Sequence, residues 1–302
     1  MKFSVSVIIP TKNRRDILNK AIDSVLKQEE VNVEVIVVND GSTDETAEFI
    51  KSNYPDILLI NNSTSVGGAK ARNIGAEAAS VDYIAFLDSD DEWLPDHLIS
   101  KLTTLQNLQA DGVYGPFYIQ DDFKTREVKF YNNFPSHFSI ADKISAFQPH
   151  DARTSTLVFK KEAFMKIKFD ETLQKHQDWD LAINFDHKYK LVLDNKPTAI
   201  IHVDSFHVRM SNNLKHESTL YFLNKNLSQF SSKGLYNFCV KMIMRCQGIK
   251  DYKSIPSYLN IVDTVQNSLS LQDKVIYYAL KNDLINLNTI RRFKNYMKRA
   301  FS

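Results

Sequence analysis

Cysteine and glycine are scarce in this chain, and each shortage excludes a class of protein. Among the 302 residues there are two cysteines, Cys239 and Cys246, whose spacing is not that of a CxxC pair. Neither a disulfide framework nor a structural zinc site is therefore indicated, which is typical of a reducing compartment. Eight glycines, with 43% hydrophobic and 25% charged residues, exclude a collagenous or disordered chain and indicate a soluble globular protein.

Long hydrophobic runs are missing as well. No uninterrupted apolar stretch approaches the roughly 18 residues that span a bilayer. The first apolar run, residues 5–9, ends at Pro10 and leads into Lys12, Arg14 and Arg15, so it is typical of a strand and not of a signal peptide. We therefore expect a cytoplasmic protein.

Net charge is also small, at +2, but it is unevenly distributed. Residues 1–210 carry 24 basic and 31 acidic side chains, whereas residues 211–302 carry 14 basic and 5 acidic ones. Such a contrast within one chain indicates two surfaces with different partners.

Apolar strands alternate with helical periodicity through the first hundred residues. The predicted strands are 5–10, 33–39, 57–60 and 83–87, and the predicted helices include 15–28 and 69–79. This alternation indicates an α/β fold whose parallel sheet is covered on both faces. In such a sheet the ligand site lies beyond the carboxyl ends of the strands.

The pattern changes after residue 105. Residues 112–140 are rich in tyrosine and phenylalanine and have β character, and residues 154–159 are predicted to form another strand. A helix is expected over residues 178–185, and from about residue 211 the pattern is mainly helical.

Acidic motifs follow two of the predicted strands. In Asp40-Gly41-Ser42-Thr43-Asp44, Ser42 or Thr43 is expected to cap the next helix. In Asp88-Ser89-Asp90, two carboxylates at a strand end can share a hard divalent cation with phosphate oxygens. An isolated motif of this kind is more often a solvated acidic loop, and Asp88 is also a candidate nucleophile for a phosphatase of the haloacid-dehalogenase type.

These motifs belong to a longer ordered set. The set consists of Val5-Ser6-Val7-Ile8-Ile9-Pro10-Thr11-Lys12-Asn13-Arg14, Val37-Val38-Asn39-Asp40-Gly41-Ser42-Thr43-Asp44, Gly67-Gly68-Ala69-Lys70-Ala71-Arg72-Asn73-Ile74-Gly75 and Phe86-Leu87-Asp88-Ser89-Asp90-Asp91. Together these segments resemble the nucleotide-sugar half of a family 2 glycosyltransferase, and the resemblance covers residues 3–210. It implies a GT-A fold, which is a Rossmann-like, mainly parallel sheet flanked by helices, with a C-terminal helical extension. The implied divisions are a nucleotide-sugar-binding half (1–105), an acceptor-binding half (106–210) and a basic helical region (211–302).

The resemblance also implies a nucleoside site. Pro10, Thr11 and Asn13 would line the nucleoside pocket, and Arg72 would lie near the base or the diphosphate. Asp40 would accept hydrogen bonds from the uracil imide, because an ionised carboxylate is an acceptor only.

A divalent cation, Mn²⁺ or Mg²⁺, is implied beside this pocket. Asp90 would be its direct ligand, while Asp88 and Ser89 would bind the nucleotide sugar and Asp88 would also contact the metal. His207 is a candidate further ligand, although a lone histidine on a strand is more often structural.

A second constellation resembles the acceptor-side signature of the same family. It consists of Phe169-Asp170-Glu171-Thr172-Leu173 and Gln177-Asp178-Trp179-Asp180-Leu181. Gln177 replaces the Glu of the family's Glu-Asp pair, and Asp178 stands at the position of the catalytic base. An inverting transfer needs one carboxylate to take the proton of the acceptor hydroxyl. The alternative is that Asp178 merely caps a helix.

The resemblance implies a metal-dependent, inverting glycosyltransferase. It would move a hexose or N-acetylhexosamine from a UDP-sugar to a hydroxyl of a lipid-linked saccharide acceptor. The implied setting is bacterial O-antigen, capsule or lipooligosaccharide synthesis. The alternative is a non-catalytic nucleotide-sugar-binding module. A nucleic-acid partner is not expected, because the sequence contains no recognition motif for one.

The C-terminal segment suggests a membrane partner. Residues 287–302 contain five cations and no acid, and on a helix Ile290, Phe293, Met297 and Phe301 would share one face. Such a basic amphipathic helix suits an anionic membrane surface, so we expect peripheral association with the inner face of the cytoplasmic membrane. The alternative is a helix that packs on its own domain.

Overall fold

A computed structural model describes residues 2–203 and 215–282. The chain forms two compact units, the first made of Met1–Asn133 and Gln148–Asn226, the second of Phe134–Phe147 and Leu227–Ser302. No helix of the described residues is long and apolar enough to cross a membrane.

The strands all belong to the first unit. In chain order, the strands of the described residues are β1 Phe3–Thr11, β2 Val31–Asp40, β3 Leu58–Asn62, β4 Tyr83–Phe86, β5 Glu92–Trp93, β6 Gly112–Tyr114, β7 Phe117–Gln120, β8 Thr125–Val128, β9 Val158–Lys160, β10 Leu191–Leu193 and β11 Ala199–His202. They form a seven-stranded sheet in the order β10-β6-β9-β4-β1-β2-β3 and a four-stranded sheet in the order β5-β11-β7-β8.

Strand β1 lies inside the larger sheet, next to its central strand β4. It pairs in parallel with β2 and β4, so that Ile8 lies between Ile36 and Phe86. Strand β9 runs antiparallel to both of its neighbours, β4 and β6, whereas the other pairs of this sheet are parallel. Residues 5–11 are buried throughout, as expected for a strand covered on both faces. The predicted α/β fold with a mainly parallel sheet is therefore confirmed.

Helices of the first unit connect these strands and pack on them. Those of the first unit are α1 Leu18–Leu26, α2 Thr46–Asn53, α3 Gly68–Ala78, α4 His97–Asn107, α6 Lys161–Met165, α7 Gln177–Lys188 and α8 His216–Asn226, and those of the second are α5 Ile140–Ser145, α9 Ser232–Gly248, α10 Ile255–Val265 and α11 Leu271–Lys281. Helix α3 approaches the sheet closely at Gly75, where a Cβ atom would lie 2.5 Å from Cγ2 of Ile8. This glycine is required by packing, not by its backbone conformation.

Two local predictions are wrong. Neither Ser42 nor Thr43 caps α2, because the helix begins three residues later and Glu45, in the left-handed region, precedes it. The carboxylate of Asp44 accepts a hydrogen bond from the main-chain N–H of Thr46 instead. The strand predicted over residues 154–159 is shorter, since Thr154–Thr156 form a single 3₁₀ turn and β9 starts at Val158.

In the described part of the second unit, all regular secondary structure is helical. A capping box begins α5, with Ser139 Oγ accepting from Asp142 N–H and the carboxylate of Asp142 accepting from Ser139 N–H. Both cysteines lie buried on α9 and are not bonded to each other. Burial raises the pKa of the Cys239 thiol, and raises that of Cys246 to about 11.

Candidate active site

The carboxyl ends of β1, β2 and β4 carry the donor-side motif residues. Because these strands are adjacent and parallel, Thr11, Asp40 and the segment after Phe86 lie at the same edge of the sheet. Asn13 connects the loop after β1 with the loop after β2 by two hydrogen bonds. Its main-chain N–H donates to Ser42 Oγ at 2.9 Å, and its side-chain oxygen accepts from Thr43 N–H at 2.8 Å. The convergence expected from the sequence is therefore present.

Pro10 and Thr11 are the last residues of β1 and are buried. Arg14, a site residue not predicted from the sequence, places a terminal nitrogen 3.6 Å from Oδ2 of Asp90. Within the described residues, Thr11 Oγ1 and Arg14 Nη1 are buried and have no hydrogen-bond partner. Buried polar atoms of this kind are costly unless a ligand satisfies them.

Asp40 is 5% exposed and accepts four hydrogen bonds from the segment that leads into α3. Oδ1 accepts from Asn62 Nδ2 at 3.1 Å and from Val66 N–H at 2.7 Å, and Oδ2 accepts from Ser65 Oγ at 2.7 Å and Gly67 N–H at 3.0 Å. Burial disfavours the charged form, but these donors outweigh it and lower the pKa of Asp40 below its ordinary value. A contact between Asp40 and uracil stays a prediction, and the observed role is to hold this loop.

Gly41 permits the same arrangement. Its φ of +68° is in the left-handed region, and a Cβ atom there would lie 2.8 Å from the main-chain nitrogen of Ser65. Any other residue at this position would therefore push the loop of residues 62–67 away from Asp40.

Arg72 connects the donor motif with the acceptor motif. One terminal nitrogen donates to Oδ1 of Asp88 at 2.6 Å, and the other donates to Oε1 of Gln177 at 3.1 Å. The side chain of Arg72 is only 12% exposed, and its guanidinium carbon lies 5.4 Å from the ring centroid of Phe169. Gln177, which stands where the family's acceptor motif has Glu, thus positions Arg72.

The segment after β4 is held from the acceptor side as well. Ser89 is buried, and Ser155 Oγ donates to Oδ2 of Asp91 at 2.6 Å. Oδ1 of Asp91 accepts from the main-chain N–H of His202, whose ring contacts Glu92 at 2.7 Å. His202 therefore lies beside this segment, whereas His207 lies outside the described residues.

The residues at this edge fit a divalent cation in part. Asp88 and Asp90 offer carboxylate oxygens, which are the donors that Mg²⁺ and Mn²⁺ prefer. Residues 2–203 and 215–282 contain no group of three or more His, Cys, Asp or Glu side chains suited to hold a metal. A site of one or two carboxylates completed by substrate phosphates needs no such group.

Asp178 is the second residue of α7, so it is not the cap of that helix; the preceding cap position is His176. Its Oδ1 accepts from the main-chain N–H of Trp179 at 2.9 Å. Burial, together with the carboxylates of Asp151 and Asp88, raises the pKa of Asp178 to about 6, although Arg153 opposes the rise.

Asp151 and Arg153 were missed by sequence reasoning. Oδ1 of Asp151 accepts from the indole N–H of Trp179 at 2.6 Å, and Oδ2 accepts from Nε of Arg153 at 2.7 Å. The sequence signal was a charged pair two residues apart, with nothing to connect it to Asp178.

Comparison with known sequences identifies relatives. The Glycosyl transferase family 2 profile matches residues 6–168. The amylovoran biosynthesis glycosyltransferase AmsB of Erwinia amylovora is 34% identical over 231 residues, which cover 73% of this chain and 75% of AmsB. The Escherichia coli UDP-Glc:α-D-GlcNAc-diphosphoundecaprenol β-1,3-glucosyltransferase WfaP is 36% identical over 120 residues, or 39% of this chain and 48% of WfaP.

Solved structures share the fold. TarS 1–349 of S. aureus, in complex with UDP-GlcNAc, superposes with a TM-score of 0.65 at 16% identity, covering 99% of this chain and 92% of that chain. The mannosyltransferase PcManGT of Pyrobaculum calidifontis, in complex with GDP-Man and Mn²⁺, gives 0.60 at 16% identity, covering 93% and 79%. These likenesses confirm the predicted GT-A fold.

The family profile spans more than half of the chain, and the similarity to AmsB spans more than two thirds of both proteins. The motifs at the strand ends are the ones by which the sequence resembles this same family. The chain is therefore a member of glycosyl transferase family 2.

Proposed function

We propose that this family member is an inverting transferase that moves a hexosyl or N-acetylhexosaminyl group from a UDP-sugar to a saccharide hydroxyl. The contacts of Arg72 carry the proposal. Its guanidinium touches Asp88 of the donor motif and Gln177, the neighbour of Asp178 in the acceptor motif. A transfer between two substrates requires that both motifs meet at one place.

In this proposal Asp178 is the general base. A carboxyl group with a pKa of about 6 is mostly ionised at pH 7 and still basic enough to take a proton. Asp178 removes the proton of the acceptor hydroxyl as that oxygen bonds to the anomeric carbon. The bond from this carbon to the UDP oxygen breaks, and UDP leaves with the bonding electrons.

The donor side neutralises the departing diphosphate. Arg72, Arg14 and the buried hydroxyl of Thr11 offer hydrogen-bond donors at this edge of the sheet. Mn²⁺ or Mg²⁺ bound by Asp90 and Asp88 would supply Lewis-acid stabilisation of the same charge.

The acceptor is inferred from the relatives. WfaP is named for an acceptor that is a diphosphoundecaprenol-linked sugar, and AmsB for amylovoran biosynthesis. We infer a lipid-linked saccharide in bacterial surface-polysaccharide synthesis, and hence a peripheral position at the inner face of the cytoplasmic membrane. The predicted membrane segment, residues 287–302, lies outside the described residues. Its deletion is expected to release the protein from anionic vesicles, and unchanged sedimentation with vesicles would contradict this.

Nucleotide binding tests the donor. Calorimetric titration with UDP, GDP and NAD, each with and without Mn²⁺, should show UDP binding that is stronger with the metal. Binding of GDP in place of UDP would change the donor class. Binding of none of them would contradict the proposal and favour the phosphatase, with Asp88 as nucleophile.

Asp178→Asn tests the base. We expect transfer to fall about 10²- to 10⁴-fold, the usual contribution of a general base, while UDP binding is retained. Asp186→Asn makes the same change at an exposed position of the same helix and is expected to leave transfer unchanged. Transfer by Asp178→Asn at the unmodified rate would remove Asp178 from the mechanism, and UDP binding without any turnover would favour a binding module.

A further inference from the structure

Trp179 joins two carboxylates, and this suggests a role for residues outside the family motifs. Its main-chain N–H donates to Asp178 at 2.9 Å, and its indole N–H donates to Asp151 at 2.6 Å. The orientation of the Asp178 carboxylate therefore depends on where Trp179 is held. His176 stacks on the indole with ring centroids 4.9 Å apart and an interplanar angle of 28°, which restricts the ring further.

Asp151 is itself fixed on its other side. Its second oxygen accepts from Nε of Arg153 at 2.7 Å, and its first oxygen also accepts from the main-chain N–H of Ala152 at 2.9 Å. The Arg153 guanidinium lies over the buried ring of Phe117, with 5.8 Å from its central carbon to the ring centroid. The Asp151 side chain is 15% exposed and that of Arg153 is 42% exposed, so the pair is shielded from solvent on the carboxylate side only.

We propose that Asp151 and Arg153 are positioning residues for the transfer: Arg153 fixes Asp151, Asp151 holds the indole of Trp179, and Trp179 orients the carboxylate of Asp178. This inference rests on the proposed function, in which Asp178 is the base. Neither Asp151 nor Arg153 needs to touch a substrate for this role. A catalytic carboxylate held by a supported neighbour is already oriented when the acceptor arrives, which lowers the cost of reaching the reactive geometry.

The same groups set the charge around Asp178. Asp151 and Arg153 face it from the segment before β9, and Asp88, paired with Arg72, faces it from the end of β4. Removing the Arg153 cation should make Asp178 harder to ionise, and removing the Asp151 charge should make it easier. The two substitutions are therefore expected to move the titration of Asp178 in opposite directions.

Trp179 allows this to be measured without a substrate. The chain has two tryptophans, so in a Trp93→Phe background Trp179 is the only one left. Its fluorescence should titrate with an apparent pKa near 6 as Asp178 ionises. Arg153→Gln should raise this midpoint, Asp151→Asn should lower it, and Asp178→Asn should abolish the transition. Arg126→Gln, the same change at an exposed arginine of β8, should leave it in place.

Turnover supplies the second readout, with UDP release from UDP-glucose and UDP-GlcNAc as the probe reactions. Trp179→Phe removes the indole N–H but keeps the ring and the main-chain donor, and should lower kcat about tenfold to a hundredfold with an unchanged KM for the donor. Combining it with Asp151→Ala, which leaves no acceptor for the indole, should cause little further loss beyond that of either single change, because both changes break the same hydrogen bond.

The two failures are distinguishable. Suppose that Asp178→Asn is inactive, that the fluorescence midpoints of Arg153→Gln and Asp151→Asn match the parent, and that Trp179→Phe keeps its kcat. The positioning role is then overturned, and the role of Asp178 as the base remains. If Asp178→Asn keeps full activity, the proposed base is overturned first. If the losses of kcat add up in the double variant and the fluorescence midpoints do not move, Asp151 contributes to the stability of the fold and not to the positioning of Asp178.

Discussion

Replacing Asp40 by Asn should destabilise the first unit, whether or not Asp40 contacts a nucleotide. The carboxylate accepts two hydrogen bonds on each oxygen, from the four donors of the loop of residues 62–67. An amide keeps one accepting oxygen and points an NH₂ group at the other two donors. Hydrogen bonds to a charged acceptor contribute about 1.5–3 kcal/mol each, so the loss of two should cost about 3–6 kcal/mol.

Urea unfolding followed by tryptophan fluorescence is a suitable assay, because Trp93 and Trp179 both lie in the first unit with Asp40. Asp56→Asn makes the same change at an exposed position and is the matched control. The destabilisation should depend on pH. The pKa of Asp40 is lower in the folded protein, so its stabilisation is present above its ordinary pKa and is lost as the pH falls through the folded value.

The difference between the parent and Asp40→Asn should therefore shrink under acid conditions. A variant with the parent's urea midpoint at pH 7 but weakened UDP binding would refute this reasoning. It would show instead that Asp40 serves the uracil and that the loop does not depend on it.

Two further substitutions test the packing of the same unit. Lys101→Met leaves the carboxylate of Asp194, which is 2.7 Å from the lysine nitrogen and 7% exposed, without its cation. We expect the free energy of unfolding in urea to fall by about 3–5 kcal/mol, and much of this loss to be recovered in the double variant Lys101→Met/Asp194→Leu. A double variant without any recovery would argue against the ion pair as the cause. Gly75→Ala places a methyl group 2.5 Å from Cγ2 of Ile8 and should lower the stability by about 1–3 kcal/mol. In Gly248→Ala the added Cβ meets no atom within 4 Å, so thermal unfolding followed by circular dichroism should show an unchanged stability. Equal stability of Gly75→Ala and the parent would contradict the close approach of α3.

The strands of the donor half were predictable because their signal is local. Residues 5–10, 33–39 and 83–87 are mainly apolar runs, and each strand appears within a few residues of its predicted limits. The position of the motifs at strand ends followed from the same runs. Helix starts were less predictable: Asp44, not Ser42 or Thr43, supplies the side-chain acceptor at the start of α2, and all three residue types favour that role.

The contacts that complete the site were not predictable from one sequence. Trp179 meets Asp151, 28 residues away, through two side chains that share no periodicity. The four donors to Asp40 depend on a loop that has to approach Gly41 closely before the hydrogen bonds exist. Contacts of this kind are set by tertiary packing, which a motif does not encode.

The buried thiols give the second unit its own reporter. Both cysteines of the chain lie on α9, and burial raises their pKa values, so alkylating reagents should react with them only when α9 opens. Both tryptophans lie in the other unit. The rate of thiol labelling in mild denaturant therefore follows the local opening of one unit while fluorescence follows the other. The chain thus allows the order in which its two units open to be measured in a single sample, without any introduced cysteine or tryptophan.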